Sequence, residues 1–307
     1  MFGQGFNYGF ISGGPPCFTD TTDIFKDNSG VALYTLDYDA STAIDATTDY
    51  SGTPTGVDFG VGGKTLYGAR FNGNTSYITL PVMSEIPTNS SPNKSYSVSF
   101  WVNSNATRLN STSGSYRSGQ IFGFYQNTYS MIGFGGNTNS NFPTGKLFYY
   151  NYGGSGQRNN WIITPNSYAD DNWHHVVVTD EYVSSGNTRN RKLYVDGSLI
   201  VSDSQANTWS ASSGANTIGS GTANNQLDAD VDQTRIFNKA ISATEVGTLY
   251  GNGLGEIACV YTPTTTNNSY PVANTMYYKL DNNAIDEIGT STATEQEMQY
   301  RFGKYGQ

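Results

Sequence analysis

The stretch SYSVSFWVNS, residues 95–104, decides the fold of this 307-residue chain. Its larger side chains alternate with small or polar ones, so Tyr96, Val98, Phe100 and Val102 fall on one face of an extended strand. Such alternation is typical of an antiparallel sheet that packs one face on a core. The stretch therefore predicts one strand of a β-sandwich.

Strand-like segments of the same kind lie on both sides of this stretch, separated by turn residues. The series opens with VALYTLDY at 31–38, and three segments between 121 and 154 predict a meander of adjacent strands. Hairpins are predicted at Asn72-Gly73 and at Asp196-Gly197, because these dipeptides favour tight two-residue turns. The fold class is therefore all-β, an antiparallel two-sheet sandwich.

One helix is expected within this series, near residues 242–250. Ser242 is a hydroxyl N-cap, and Glu245, three residues later, can accept a hydrogen bond from the N-cap amide. Gly251 is a natural left-handed stop. We therefore predict a single short helix on the edge of the sandwich.

Composition divides the chain into four predicted segments. Residues 1–30 form an extended N-terminal arm in which glycines are interspersed with Phe and Tyr, and residues 31–251 form the sandwich. A linker rich in Thr, Asn and Pro covers 252–275, and 276–307 is a strand-like appendage. The arm either docks on a neighbouring subunit or packs across its own sandwich.

The C-terminal appendage repeats a pattern from the start of the sandwich. The segment MYYKLDNNAIDEIG at 276–289 is similar to ALYTLDYDASTAIDATT at 32–48 once three residues are dropped. It is either the first strand of a second repeat or a strand that pairs with another sandwich edge.

The charge balance disfavours some partners. The formal net charge is −9 without a basic cluster, so the phosphate neutralisation that drives nucleic-acid binding is missing. No apolar stretch reaches the roughly 18 residues of a membrane span. The first residues lack the basic start and apolar run of a signal peptide, so we expect synthesis in the cytoplasm.

The two cysteines, Cys17 and Cys259, flank the predicted sandwich. A disulfide between them is compatible with sandwich geometry, because domain termini often lie close together. Cytoplasmic synthesis favours two reduced thiols instead.

Four blocks, in this order, resemble the laminin-G-like jelly-roll family of the concanavalin-A-like lectin/glucanase superfamily. They are SYSVSFWVNS, DNWHHVVVT at 171–179, KLYVDGSLI at 192–200, and VDQTRIFNKAISATEV at 231–246. The resemblance covers about residues 31–251. It implies a two-sheet jelly roll that binds carbohydrate or protein, and it implies that Trp173 anchors the core.

Calcium is a further implication of this resemblance, since some members of the family bind it. The family usually has an acidic pair where this chain reads Val231-Asp232-Gln233, so the second acid is lost. This departure argues against a calcium cofactor.

A second resemblance concerns virion proteins of tailed bacteriophages. The arm, the lead-in at 17–41 and the missing signal peptide are similar to tail-fibre or appendage proteins that carry such domains. This implies localisation in a virion, with other virion proteins and copies of this chain as partners.

The acidic and histidine residues do not indicate catalysis. Retaining glucanases need a paired nucleophile and acid, and the nearest pattern here is LDADVD at 227–232. It predicts Asp228, Asp230 and Asp232 on one strand face, which suits either a calcium ion or a solvated edge. His174 and His175 are adjacent in a strand and face opposite sides, so they cannot chelate one metal together. We therefore do not expect an enzyme.

Aromatic residues in two predicted loops suit carbohydrate, because a ring stacks on a sugar face while amides bind its hydroxyls. The candidates in loops 148–161 and 205–214 are Tyr150, Tyr152, Arg158, Trp161 and Trp209. Alternatively, these rings close the sandwich ends or pack on a neighbouring subunit.

Two functions follow from these patterns. The first is a virion structural protein, as fibre, appendage or capsid decoration, whose lectin-like sandwich attaches to host-surface glycans. The second is a carbohydrate-binding module that acts through the same two loops and is not carried by a virion.

Overall fold

The computed structural model of the protein describes residues 22–37, 49–65, 67–88, 91–111, 119–124, 130–136, 142–151, 161–207, 215–220 and 225–251. These residues form antiparallel strands in two sheets with two short helices, which confirms the predicted all-β sandwich. Residues 1–21 of the arm, the linker, the appendage and both cysteines lie outside the described residues.

The strands and helices of the described residues follow each other in this order: β1 (Gly30–Tyr34), β2 (Thr53–Thr55), β3 (Asp58–Gly62), β4 (Tyr67–Asn72), β5 (Tyr77–Leu80), β6 (Tyr96–Asn105), α1 (Ala106–Ser111), β7 (Gln120–Phe124), β8 (Ser130–Phe134), β9 (Lys146–Asn151), β10 (Trp161–Ser167), β11 (Asp170–Val183), β12 (Thr188–Val195), β13 (Ser198–Ala206), β14 (Asn216–Gly219), β15 (Asp228–Phe237) and α2 (Ala243–Tyr250).

Within the described part of the chain, the larger sheet has eight strands and the smaller sheet has seven. The larger sheet runs β13-β12-β11-β6-β15-β4-β3, and β1 also pairs with β15. The smaller sheet runs β10-β9-β8-β7-β14-β5-β2. The adjacent strands β7, β8 and β9 confirm the predicted meander.

The alternation in β6 builds the core as predicted. Tyr96, Val98, Phe100 and Val102 are fully buried between the sheets. The opposite face of the larger sheet is also covered, because α2 and residues 24–25 pack on it. Ser97 and Ser99 of β6 therefore lie under a second, smaller apolar layer.

The predicted role of Trp173 as a core anchor is wrong. Trp173 lies on the opposite face of β11 from Val176 and Val178, and the register of this strand with β6 is irregular between Asp170 and Trp173. The Trp173 side chain is half-buried and lies outside the core clusters of the described residues. The buried indole is that of Trp101, on the face of the larger sheet that α2 covers.

Only one of the two predicted hairpins forms. Asp196 and Gly197 both adopt positive φ and join the paired strands β12 and β13, as an Asp-Gly turn requires. Asn72 and Gly73 instead connect β4 in the larger sheet to β5 in the smaller one. The Asn72 side-chain oxygen accepts hydrogen bonds from the amides of Asn74 and Thr75, so this turn carries the chain between sheets.

The helix α2 confirms the capping prediction, but the expectation of a single helix is wrong, because α1 also forms directly after β6. The Ser242 hydroxyl accepts a hydrogen bond from the Glu245 backbone amide, and the Glu245 carboxylate accepts one from the Ser242 backbone amide at 2.7 Å. Gly251 ends the helix in the left-handed conformation. Both helices of the described residues are too short and too polar to cross a membrane.

Candidate functional site

A cluster of aromatic side chains lies on the outer face of the smaller sheet. Tyr150 of β9 and Trp161 of β10 are direct partners in the register, with ring centroids 6.3 Å apart. Phe142 packs against Trp161 at 5.1 Å and against Phe148 at 4.4 Å. The structure therefore brings together two of the five residues that the sequence predicted to bind a ligand.

The two predicted rings differ in exposure. Tyr150 is only 2% exposed, so it supports its neighbour and has no free ring face. Trp161 is half-buried, and Phe142 and Tyr150 hold its indole. Trp161 is thus the ring of this cluster that can contact a ligand.

The strand ends beside Trp161 also flank both predicted binding loops. Ser130 pairs with Asn151, Phe124 pairs with Ser130, and the start of β14 runs beside the end of β7. Strands β9 and β14 are three strand spacings apart in the smaller sheet, and the distance between them is therefore about 14 Å. Tyr152, Arg158 and Trp209 lie outside the described residues, but the strands that lead into their segments end on one side of the sheet.

Amide and hydroxyl groups accompany these strand ends. The Ser130 hydroxyl donates to the Asn151 side-chain oxygen at 3.0 Å, and both residues are buried. The Asn216 side-chain oxygen at the start of β14 has no hydrogen-bond partner within the described residues. All three side chains are buried and share the inner face of the sheet with Tyr149 and Ile218, so they lie on the opposite face from the Trp161 ring.

A buried ionic network joins the two sheets beneath this end. The Tyr149 hydroxyl of the smaller sheet donates to Asp180 of the larger sheet at 2.5 Å, and the Tyr96 and Tyr149 hydroxyls are also 2.5 Å apart. The Arg189 guanidinium donates to the other Asp180 oxygen at 2.6 Å. Burial raises the pKa of Tyr149 well above its usual value, with a further increase from Asp180, so Tyr149 keeps its proton and donates.

Arg189 also shapes the chain segment before β6. Its two terminal nitrogens donate to the carbonyls of Pro92 and Lys94 at 3.1 and 2.8 Å. These contacts place Lys94 on the wall of an open polar groove of about 610 Å³. The residues that line the groove are Glu85, Lys94, Ser95, Glu181, Asn238, Lys239 and Ala240.

On the acidic strand β15, two of the three residues considered for calcium are bound by arginine. Asp228, Asp230 and Asp232 alternate with core residues as expected, but Arg108 donates to Asp228 at 2.6 Å and Arg70 binds Asp230 with two nitrogens. Guanidinium groups thus occupy the carboxylate oxygens that a cation would need. Among the described residues, no group of three or more acidic, histidine or cysteine side chains is arranged to hold a metal.

The paired histidines face opposite sides of β11, as the sequence predicted. His174 lies opposite Val102, whereas His175 lies opposite Trp101 on the other face. The His174 ring nitrogens contact Asp196 at 2.7 Å and Asp170 at 3.0 Å. Burial lowers the pKa of His174, but the hydrogen bonds to Asp196 and Asp170 outweigh it and the pKa is raised. Burial lowers the pKa of His175 to about 3.

These opposite shifts predict a stability maximum near the ordinary histidine pKa. Because the pKa of His174 is raised in the folded protein, protonated His174 adds to the free energy of unfolding. This contribution is at its full value below the pKa of the histidine in the unfolded chain, and it is lost as the pH rises through the pKa of His174 in the folded protein. The depressed pKa of His175 costs stability as pH falls from about 6.5 toward 3. We expect His174→Gln to abolish the alkaline decline in urea-unfolding free energy between pH 6 and 9 and to leave the acid decline in place. An unchanged alkaline slope in this variant would contradict the assignment.

Comparison with known proteins places this fold in a family. The concanavalin A-like lectin/glucanases superfamily matches residues 72–247, more than half of the chain. A search of curated protein sequences found no match.

Solved structures share the fold at low sequence identity. The binding domain of Paraclostridial Mosquitocidal Protein 1 has a TM-score of 0.51 and 18% identity over 71% of this chain and 51% of that chain. The receptor binding domain of botulinum neurotoxin C/D mosaic serotype has a TM-score of 0.50 and 15% identity over 72% and 50%. Domain 4 of AbnA, a GH43 extracellular arabinanase from Geobacillus stearothermophilus, solved with arabinotriose, has a TM-score of 0.49 and 20% identity over 73% and 97%.

The chain spans about half the length of the two toxin domains. At these identities the likeness concerns the fold alone, a lectin-like β-sandwich. The family match, the two antiparallel sheets and the four sequence blocks agree with each other. The chain belongs to the concanavalin A-like lectin/glucanase superfamily.

Proposed function

We propose that the sandwich is a non-catalytic module that binds a host-surface glycan at the end of the smaller sheet where Trp161 lies. We further propose that the chain is a structural protein of a bacteriophage virion, as fibre, appendage or capsid decoration. The observation that carries the first part is the partly exposed Trp161 ring, supported by Phe142 and Tyr150.

The chemistry of this end suits a neutral or weakly charged sugar. A supported indole presents a flat apolar face to sugar C–H groups without losing side-chain entropy on binding. The two toxin domains named above are binding domains by description, which supports a binding role for this fold.

The charged groups favour binding over catalysis. A retaining glycosidase needs two carboxyl groups about 5 Å apart, one of them protonated at neutral pH. Asp228 and Asp230 each accept hydrogen bonds from arginine, so their carboxylate oxygens are already engaged within the protein. Neither is therefore placed as a general acid.

We expect Trp161→Ala to weaken glycan binding at least about tenfold, because one stacked ring contributes on the order of 1.5 kcal/mol. The measurement is a glycan array with the intact chain, followed by calorimetry on the strongest binder. Trp173→Ala is the matched control, since Trp173 is also half-buried but lies on the larger sheet. Equal affinity of wild type and Trp161→Ala would refute this site.

The virion role draws its support from the arm and the lead-in at 17–41. Mass spectrometry of purified particles from the source of the sequence tests it, with immunogold labelling to locate the protein. Absence from the particles, combined with intact glycan binding, would favour the alternative of a lectin module that no virion carries.

A further inference from the structure

His175 of β11 is a buried imidazole that makes only one of the two hydrogen bonds open to its ring. The residue is 1% exposed. Its Nε2 atom lies 2.8 Å from the Ser99 hydroxyl, whereas Nδ1 has no hydrogen-bond partner in the described part of the chain. A neutral imidazole has one donor and one acceptor nitrogen, so either tautomer leaves Nδ1 unsatisfied, at a cost to the folded state.

Two aromatic rings enclose this imidazole on the outer face of the larger sheet. The centre of the Trp101 ring lies 5.1 Å from that of His175. Tyr250, the last residue of α2, stacks on the imidazole from the other element, with ring centres 6.1 Å apart and 21° between the planes. Tyr250 also packs closely on Gly197 of the β12–β13 turn, where a Cβ atom would lie 2.9 Å from the tyrosine ring. The end of α2 therefore covers the imidazole.

The helix that provides this cover is held on the sheet by few side chains. Of the eight residues of α2, only Val246 and Leu249 are buried, and Tyr250 is half-buried. Short elements with few buried apolar contacts open at a lower free energy than the central strands of a core. The helix α2 is thus suited to leave the sheet while the sandwich stays folded.

We propose that α2 is a latch that acid opens, because His175 accepts a proton only after Tyr250 has left its ring. A protonated imidazole is charged and has two N–H donors, and the closed site offers the Ser99 hydroxyl to one of them. Burial lowers the pKa of His175 to about 3 when α2 is closed, whereas an imidazole open to water has a pKa of about 6.5. The closed latch is therefore fully stable above about pH 6.5 and loses stability as the pH falls toward 3.

Other titratable groups lie on the elements that pack around this cluster. The Asp196 carboxylate accepts a hydrogen bond from the His175 backbone amide at 2.9 Å. Asp232 lies opposite Trp101 on β15, where its Oδ2 atom accepts the Thr65 amide at 2.9 Å, and burial raises its pKa to about 7. The test must therefore separate Asp232 from His175. Further titratable groups on these elements are Lys64 of the β3–β4 loop, Tyr194 of β12, and Glu245 and Tyr250 of α2.

Histidine NMR tests the cover over the imidazole, because the chain has two histidines whose ring signals can be followed separately. In the wild type we expect the His175 ring to be still neutral at about pH 4.5. In Tyr250→Ala the imidazole gains access to water, so its pKa should rise toward about 6.5. Thr248→Ala is the matched control, since Thr248 is exposed on the same helix and should leave the titration unchanged. An unchanged His175 titration in Tyr250→Ala would overturn the latch.

Hydrogen exchange measures the opening of α2 itself. Lowering the pH from about 7 to about 5 should raise the open fraction about 25-fold, so the α2 amides should lose about 25-fold in protection after correction for the intrinsic exchange rate. The amides of β6 should stay better protected than those of α2 at both pH values. His175→Phe keeps an aromatic ring without a titratable group and should abolish the pH effect. His174→Gln, on the opposite face of β11, should retain it.

Two results of the exchange experiment would contradict the latch. A pH effect that persists in His175→Phe would assign the acid response to another group, with Asp232 as the first to examine. Equal protection of the α2 and β6 amides would show that the helix opens only when the whole sandwich unfolds. If His175→Phe fails to fold, Tyr250→Ala decides the matter, because an imidazole that is already uncovered should leave α2 without the pH effect. None of these readouts depends on glycan binding.

Discussion

Arg189→Ala is expected to lower the free energy of unfolding by about 3–5 kcal/mol, the usual cost of breaking a buried ion pair on one side. The substitution leaves Asp180 fully buried without its arginine partner, where the Tyr149 hydroxyl still donates to it and the Arg191 charge acts from further away. It also strips the carbonyls of Pro92 and Lys94 of their donors. The loss at Asp180 leaves a fully buried polar group without its main partner, which costs more than the contact itself contributes, and the losses at the partly buried carbonyls add to it.

Urea unfolding at pH 7 measures this effect. Lys192→Ala is the control, because Lys192 is exposed on the same strand and should change stability by less than about 0.5 kcal/mol. The double variant Asp180→Leu with Arg189→Met should recover much of the loss, since apolar residues can replace a buried pair. A single-variant effect below about 1 kcal/mol would show that the network contributes little to stability.

Trp101→Ala is expected to cost about 3–5 kcal/mol, in the range of large-to-small substitutions in a core. Trp101 is 2% exposed although it faces away from the inter-sheet core. Its ring lies 5.1 Å from His175 and 5.9 Å from Tyr250, the last residue of α2. The indole therefore holds the helix on the larger sheet.

The comparison with Trp173→Ala makes this test specific. Trp173 lies on the same face of the sheet but only half-buried, so its removal should cost clearly less. Denaturant unfolding of both variants under one set of conditions gives the ranking. A larger loss for Trp173 would reverse the assignment of the buried anchor.

The Arg189→Ala and Trp101→Ala substitutions test contacts on different faces of the larger sheet. Arg189 lies beneath the end that carries Trp161, where it joins the larger sheet to Tyr149 of the smaller one. A rigid support of this kind keeps a ligand-binding ring in place. We therefore expect the binding end to lose affinity along with stability when the Asp180–Arg189 pair is broken.

Local patterns predicted the elements that depend on local contacts. The alternation of Tyr96, Val98 and Phe100 identifies the core face of β6, and the Asp196-Gly197 pair forms the expected hairpin. The capping box of α2 spans three residues and forms as expected. In each case the interacting residues are close in the sequence, so their spacing carries the information.

The same patterns failed where the outcome depended on distant partners. Asn72-Gly73 makes a tight turn, but the turn chemistry does not specify whether the next strand pairs back or crosses to the other sheet. Trp101 and Trp173 both lie in strands with strong β-propensity. Which of them is buried depends on where α2 packs, and the strand sequences do not contain that information.

The candidate site shows the same division. Trp161 and Tyr150 were identified from their loop composition, and the strand register explains why they meet. No sequence signal indicated that Tyr150 would be covered or that Asp228 and Asp230 would be neutralised. Arg108 lies 120 residues from Asp228, and Thr65 lies 167 residues from Asp232.

By itself, the sequence determined the fold class, the core-facing residues of β6, the helix near 242–250 and the membership of a lectin-like family. Periodicity and capping are properties of neighbouring residues, and they hold before any tertiary contact forms. Only the tertiary structure decided which charges pair, which tryptophan is buried and which loops start from one end of the sandwich. Those outcomes depend on contacts between residues that are far apart in the chain. In the low-dielectric interior, the presence or absence of a partner for a buried polar group changes the free energy of unfolding by several kcal/mol.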